Sequence, residues 1–210
     1  MTADPRFWDR IAERYAAKPV DDPAAFERKI AITLDRLPPG GQVLDVGCGT
    51  GSLCLRLAPH GGQVQGLDLS PEMIRIARGK AAAAQAANVA FQVGPFDDTF
   101  TAVADGSLDV VCAYSLLHLV RDRPAALRHL FRLLKPGGSF IASTACLGGG
   151  WVPFGLILGA MRRLGKAPWV GVVSRAQLAA EIQAAGFVDL QAPDVGAKSK
   201  TVYFTVARRP

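Results

Sequence analysis

The sequence predicts a doubly wound α/β fold, on three observations. An apolar run, Gln42–Val46, enters glycines at alternate positions, Gly47, Gly49 and Gly51, and a helical pattern follows at once with Leu53, Leu57 and Ala58 on one face. Apolar runs then alternate with helical stretches along the chain, as in stacked strand–helix units. Two last apolar runs, 187–191 and 201–207, read as a closing antiparallel pair. The 210 residues suit one domain with a full core, and 50% hydrophobic with 20% charged residues is an ordinary globular composition.

Residues 6–17 read as an amphipathic helix. Phe7, Ile11 and Tyr15 share a face, Trp8 and Ala12 flank it, and Asp9, Arg10, Glu13 and Arg14 turn away. Pro19 and Pro23 interrupt, a second helix covers 24–37, and Pro38-Pro39-Gly40-Gly41 stops it before the first strand. These forty residues either cover a sheet face or form a helical lid with Tyr15 pointing inward. The second strand, 63–67, ends at Asp68; Ser70 fits the N-cap and Pro71 the first turn of a helix reaching 87. A third strand, Val89–Val93, leads into Gly94-Pro95-Phe96-Asp97-Asp98. The fourth strand, 108–113, runs into Tyr114-Ser115-Leu116-Leu117-His118-Leu119. A helix over 124–134 ends at Lys135-Pro136-Gly137-Gly138, and a fifth strand takes 140–143.

The segment 147–173 differs from the rest. No charge occurs from Pro136 to Met161, yet Gly148, Gly149, Gly150 and Pro153 break any long helix. The apolar run 151–161 is about half of the roughly 20 residues a membrane span requires. It reads instead as a short apolar helix inserted after the fifth strand. A helix over 174–185, capped by Ser174 and ended by Gly186, precedes the closing pair. The expected layout is a single domain, 1–210: N-terminal helices 1–40, a binding core 41–146, an apolar lid 147–173, and a closing helix and hairpin 174–210.

The glycine spacing discriminates between ligands. A dinucleotide fingerprint would need its third glycine or alanine where Ser52 stands, and a phosphate loop would need a Gly-Lys-Ser/Thr that is absent. An acid, Asp45, instead stands two residues before the first glycine. Asp68, at the end of the second strand, is placed to accept from both hydroxyls of a ribose. Asp45-x-Gly47-x-Gly49-x-Gly51 resembles the first motif of the class I S-adenosylmethionine-dependent methyltransferases. Leu133–Gly138 and the Ala185-Gly186-Phe187 start of the closing hairpin extend the resemblance over residues 42–207.

The resemblance is to the small-molecule, quinone-biosynthesis-like type. It implies a seven-stranded, mostly parallel sheet with one antiparallel strand, and S-adenosylmethionine as cofactor. The residues it carries to that cofactor are Asp45, Gly47, Cys48, Gly49, Gly51, Asp68, Leu69 and Ala113. Met73 serves as an apolar wall for adenine or packs in the core. Phe96 would stack on the base. Pro95 replaces the family's usual acid there, which leaves Asp97 or Asp98 for the adenine amino group.

Methyl transfer from a sulfonium is an in-line displacement, and holding the partners in line supplies much of the catalysis. A neutral amine acceptor needs little more; a hydroxyl or acidic carbon needs a base, for which His118, Tyr15 and Tyr114 are the candidates. A histidine inside Leu-Leu-His-Leu is also an ordinary packing residue. No metal-ligand cluster is visible. The acceptor is expected to be a small apolar molecule. The alternative is a protein that binds the cofactor or a similar adenosine ligand without turnover. A nicotinamide-dependent reductase is disfavoured by Ser52.

The net charge of +6 is spread along the chain without interleaved aromatics, so no nucleic-acid partner is expected. The apolar run and the basic cluster Arg162, Arg163 and Lys166 suggest peripheral membrane contact through 151–166. Cys48, Cys54, Cys112 and Cys146 lack metal or redox spacing and read as small apolar residues in a reducing compartment. The first residues show no apolar signal segment, so the expected location is cytoplasmic, with the membrane surface as a second possibility.

Overall fold

The computed structural model describes residues 5–97 and 99–210. Its strands are β1 (Gln42–Val46), β2 (Gln63–Asp68), β3 (Val89–Val93), β4 (Leu108–Tyr114), β5 (Leu134–Ala145), β6 (Val188–Gln191) and β7 (Val202–Arg208). They form one sheet in the order β3-β2-β1-β4-β5-β7-β6. Only β7 is reversed: it pairs antiparallel with both β5 and β6, and the other pairings are parallel. The helices are α1 (Arg6–Ala17), α2 (Pro23–Leu34), α3 (Ser52–Leu57), α4 (Pro71–Ala83), α5 (Arg123–Leu133), α6 (Phe154–Arg163) and α7 (Arg175–Ala184).

Alternate residues of a strand point to opposite faces, and the two faces hold two cores. Leu44, Val46, Val111, Phe140 and Ala142 pack with Leu127, Leu130, Leu178 and Ile182 of α5 and α7. Val43, Val110, Cys112 and Ile141 pack with α2, α3 and α4 through Ile30, Leu53, Leu57 and Ile74. The central strands carry near-continuous apolar runs because helices cover both faces. Each fully buried leucine here contributes roughly 1.5–3 kcal/mol of transfer free energy.

Side-chain caps set the helix starts: Ser70 accepts from Met73 N at 3.1 Å and Ser174 from Gln177 N at 3.1 Å. Some ends differ from the sequence reading. The second helix stops at Leu34, and α4 stops at Ala83 because Gln85 takes a left-handed φ of 52°. Leu134 belongs to the sheet, paired with Leu108, before the register shifts to Val110 opposite Ser139. Pro136 has no N–H for the ladder and Gly137 adopts φ 81°, so Lys135–Gly138 bulges between those two pairings.

Asp9 does not turn to solvent. Its Oδ1 accepts from Ser70 Oγ at 2.5 Å and from Glu72 N at 3.3 Å, which docks α1 on the first turn of α4. Arg75 and Glu13 add an exposed ion pair between the same helices. α6, in the segment expected as an apolar lid, has no buried residue. Arg10 Nη2 donates to the Gly165 carbonyl at 2.6 Å and joins α1 to the chain just past α6.

Candidate active site

The strand order reverses direction between β1 and β4, and the loops after their carboxyl ends form the crevice where such sheets take ligands. The glycine loop after β1 is pinned there by backbone: Gly47 N and Cys48 N both donate to Leu67 O, at 2.7 and 3.0 Å. Gly47, Gly49 and Gly51 adopt φ of 72°, 53° and 76°, a region open to glycine at little cost.

What a side chain would meet differs among the three. A Cβ on Gly47 would lie 2.8 Å from Leu116 Cδ1, and one on Gly51 would lie 2.6 Å from Phe91 Cζ. Those two glycines are required by packing. Among the described residues, a Cβ on Gly49 would meet only Tyr15 Cε1, at 3.8 Å. Gly49 therefore borders open space, roofed by the Tyr15 ring of α1.

Two carboxylates flank that space. Asp68 Oδ2 accepts from Gly49 N at 2.8 Å and Oδ1 from Ser70 N at 2.9 Å, so Asp68 ties the loop to the start of α4. Each oxygen keeps a lone pair for a ribose hydroxyl. Desolvation raises the Asp68 pKa from its ordinary value, against the backbone hydrogen bonds that lower it. Asp45 is 2% exposed, and burial pushes its pKa up to about 7. Its Oδ2 accepts from the Cys54 thiol at 3.6 Å, and its Oδ1 is buried without a hydrogen-bond partner among the described residues. An unpartnered buried carboxylate oxygen beside the loop suits a ligand cation such as an α-ammonium group.

Tyr15 is half exposed, yet burial of its hydroxyl end, with Asp68 and Asp45 nearby, raises the phenol pKa. It therefore keeps its proton at neutral pH. His118 lies in a single 3-10 turn, Leu117–Leu119, half-buried. Burial lowers its pKa to about 4, and its Nδ1 accepts from Ala145 N at 3.5 Å, which leaves the proton on Nε2. Neither side chain is a base poised for pH 7.

The other expected residues scatter. Cys48 and Ala113 are buried beside the loop and in β4, and Leu69 is half-buried between Asp68 and Ser70. Met73 is 2% exposed, the core alternative of its two readings, so it offers no open wall in this conformation. Phe96 stacks on His129 with ring centroids 4.7 Å apart, which occupies one of its faces. Asp97 Oδ1 accepts from Thr99 N and Oγ1, at 3.0 and 2.7 Å, in a local turn. Asp98 lies outside the described residues. Tyr114 hydrogen-bonds Thr33 and the Lys29 carbonyl on the α2 face, and desolvation raises its pKa beyond any use as a base.

Two site residues escaped the sequence reading. Asp9 positions α1 from more than fifty residues away, and nothing local marks it. Ser115 follows β4 with φ 55°, an uncommon conformation for a non-glycine, and lies exposed at the switch point. Its N–H donates to Ser143 O at 2.7 Å. A small polar residue ending a strand was the available signal.

A doubly wound sheet with a glycine loop clasped by the acid of the next strand defines a class of α/β proteins that bind adenosine-bearing ligands at the switch point. The particular family follows from comparison. The methyltransferase domain family matches residues 37–185, and the chain belongs to it, as a class I S-adenosylmethionine-dependent methyltransferase. A ubiquinone biosynthesis O-methyltransferase of Xanthomonas oryzae pv. oryzae is 41% identical over 107 residues, 50% of this chain and 43% of that protein. A ubiquinone/menaquinone biosynthesis C-methyltransferase of Geotalea daltonii is 34% identical over 119 residues, 54% of this chain and 49% of that protein. The matches thus span about half, or less, of each relative's length. An S-adenosylmethionine-dependent methyltransferase structure from Aquifex aeolicus superposes with TM-score 0.72 over 100% of both chains, at 18% identity.

S-adenosylmethionine is the cofactor of this fold and family. The site fits it: open space at Gly49, spare acceptors on Asp68, and the unpartnered Asp45 Oδ1. Among the described residues no helix is long and apolar enough to cross a membrane.

Proposed function

We propose that this chain transfers the methyl group of S-adenosylmethionine to a small, hydrophobic acceptor. The observation that carries the reading is Gly49, a glycine with free space on its Cβ side between Asp68 and Tyr15. Bound S-adenosylmethionine supplies an activated methyl on a sulfonium. Asp68 would hold the ribose hydroxyls, Asp45 would face the α-ammonium, and the Gly49 backbone would let the ligand lie close. The acceptor would enter beside Ser115 and His118, at the carboxyl end of β4. Tyr15 keeps its proton at neutral pH and would act as a donor that orients the acceptor, while His118, neutral at that pH, would pack beside it. The acceptor then brings its own nucleophile, as an amine or a readily ionised hydroxyl or carbon. The quinone-biosynthesis names of the two relatives and the apolar residues of α6 support an apolar acceptor.

The test is incubation with methyl-labelled S-adenosylmethionine and a lipid-soluble cell extract. Label should move into the organic phase. Asp68→Ala should weaken S-adenosylhomocysteine binding by roughly 1.5–3 kcal/mol, the scale of hydrogen bonds to a charged group, and slow the transfer with it. Tight cofactor binding with no label transferred to any extract would favour the non-catalytic alternative, and label in water-soluble products would overturn the apolar acceptor.

A further inference from the structure

The lid segment presents a surface that the donor site does not use. Trp151 is 94% exposed, Leu156 78% and Leu164 69%, and Ile157 and Met161 are also open to solvent. Leu156, Ile157, Ala160, Met161 and Leu164 follow the i, i+3, i+4 spacing that puts them on one stripe of α6 and its end. At about 100° per residue, Gly155, Gly159 and Arg162 fall on the opposite side, and Arg163 falls at one border of the stripe. Phe154 and Leu158, at its inner margin, are half-buried. Lys166 follows within one turn. Trp151 stands just before the helix, after three glycines.

The charge around this stripe has one sign. No Asp or Glu occurs between Asp122 and Glu181. Arg162, Arg163 and Lys166 make no ion pair among the described residues. Arg121 stacks over Trp169 at 5.1 Å, which places a further cation beside the same segment.

We propose that α6, with Trp151, docks on an anionic lipid surface, its apolar stripe entering the headgroup boundary and the long cationic side chains of its last turn and of Lys166 reaching lipid phosphates. An apolar stripe, a tryptophan and flanking cations are what an interfacial helix requires. A second copy is a poorer occupant, because a two-fold contact would set this acid-free face against itself.

Co-sedimentation tests it with two vesicle types: phosphatidylcholine and phosphatidylglycerol in equal parts, and phosphatidylcholine alone. The full chain should pellet with the anionic vesicles, less so at high salt, and remain in solution with the neutral ones. Replacing Arg162, Arg163 and Lys166 by glutamine should weaken binding on the order of 100-fold, about fivefold for each cation. Leu156→Ser with Leu164→Ser should weaken it about tenfold or more. Both variants should keep the wild-type melting temperature and S-adenosylhomocysteine affinity, since none of these residues is buried. Wild-type protein that stays in solution with anionic vesicles, or variants that pellet equally well, would overturn the proposal. A concentration-dependent dimer abolished by the serine pair would assign the stripe to a second copy instead.

Discussion

The three loop glycines should fail in different ways when each is replaced by alanine. All three sit at positive φ, where a Cβ costs about 1–2 kcal/mol. Gly49→Ala incurs little beyond that, because its Cβ would meet only Tyr15 Cε1 at an ordinary 3.8 Å. Gly51→Ala adds a rigid clash, 2.6 Å from Phe91 Cζ and 3.0 Å from Ala77 Cβ. Overpacking of that kind costs about 1–3 kcal/mol more, for a total of roughly 2–5 kcal/mol. In a domain of this size 1 kcal/mol moves the melting temperature by about 2–4 °C. Gly49→Ala should therefore lower Tm by roughly 2–8 °C and Gly51→Ala by roughly 4–20 °C. Gly47→Ala falls between them, since its neighbour Leu116 ends in a flexible side chain. Cofactor affinity should rank the other way. Gly49→Ala places a methyl in the ligand's space and should weaken S-adenosylhomocysteine binding at least about tenfold, some 1.4 kcal/mol. Thermal melts and isothermal titration calorimetry read the two quantities separately. Near-wild-type affinity in a folded Gly49→Ala protein would refute the placement of the ligand, and equal Tm losses at Gly49 and Gly51 would refute the packing argument.

His118→Ala should lower the melting temperature while leaving turnover near normal, because an imidazole with a pKa of about 4 is a weak base at pH 7. A loss of roughly 10²–10⁴-fold in turnover, with cofactor affinity retained, would make it a general base after all. The pKa of Asp45 predicts a pH effect of definite sign. Its folded pKa, about 7, exceeds the usual carboxylate value, so the folded state holds a proton that the unfolded state has released. That contribution is full below about pH 4 and is lost as pH rises to 7. His118 has the opposite sign, because its depressed pKa gives stability that is present above about 6.5 and lost toward 4. The two offset each other in the wild type. Asp45→Asn should therefore gain on the wild type by a few kcal/mol between pH 4 and pH 7.5. Urea denaturation without cofactor measures this, and parallel pH profiles for the two proteins would refute the buried charge.

Much of this protein could be read before folding it. Gln42–Val46, the alternate glycines and Asp68 specify strand, turn, helix and closing acid within 27 residues, and such contacts are local enough for spacing to encode them. The strand runs, the closing antiparallel pair and the inserted apolar helix also followed from pattern, because apolar periodicity and breaker residues act over one element at a time, while the single reversed strand of the sheet came from the family resemblance. What depended on tertiary structure is what depends on contacts distant in sequence. Asp9, by its spacing a solvent residue, accepts from Ser70 Oγ and docks α1 on the start of α4. Gly47 and Gly51 are glycines because Leu116, from the loop after β4, and Phe91, from β3, arrive beside them, while Gly49 meets no described residue but Tyr15. The motif treats the three alike; only packing separates them. The protonation of Asp45, Tyr15 and His118 follows the same rule, since desolvation is set by everything that surrounds a group and not by its neighbours along the chain.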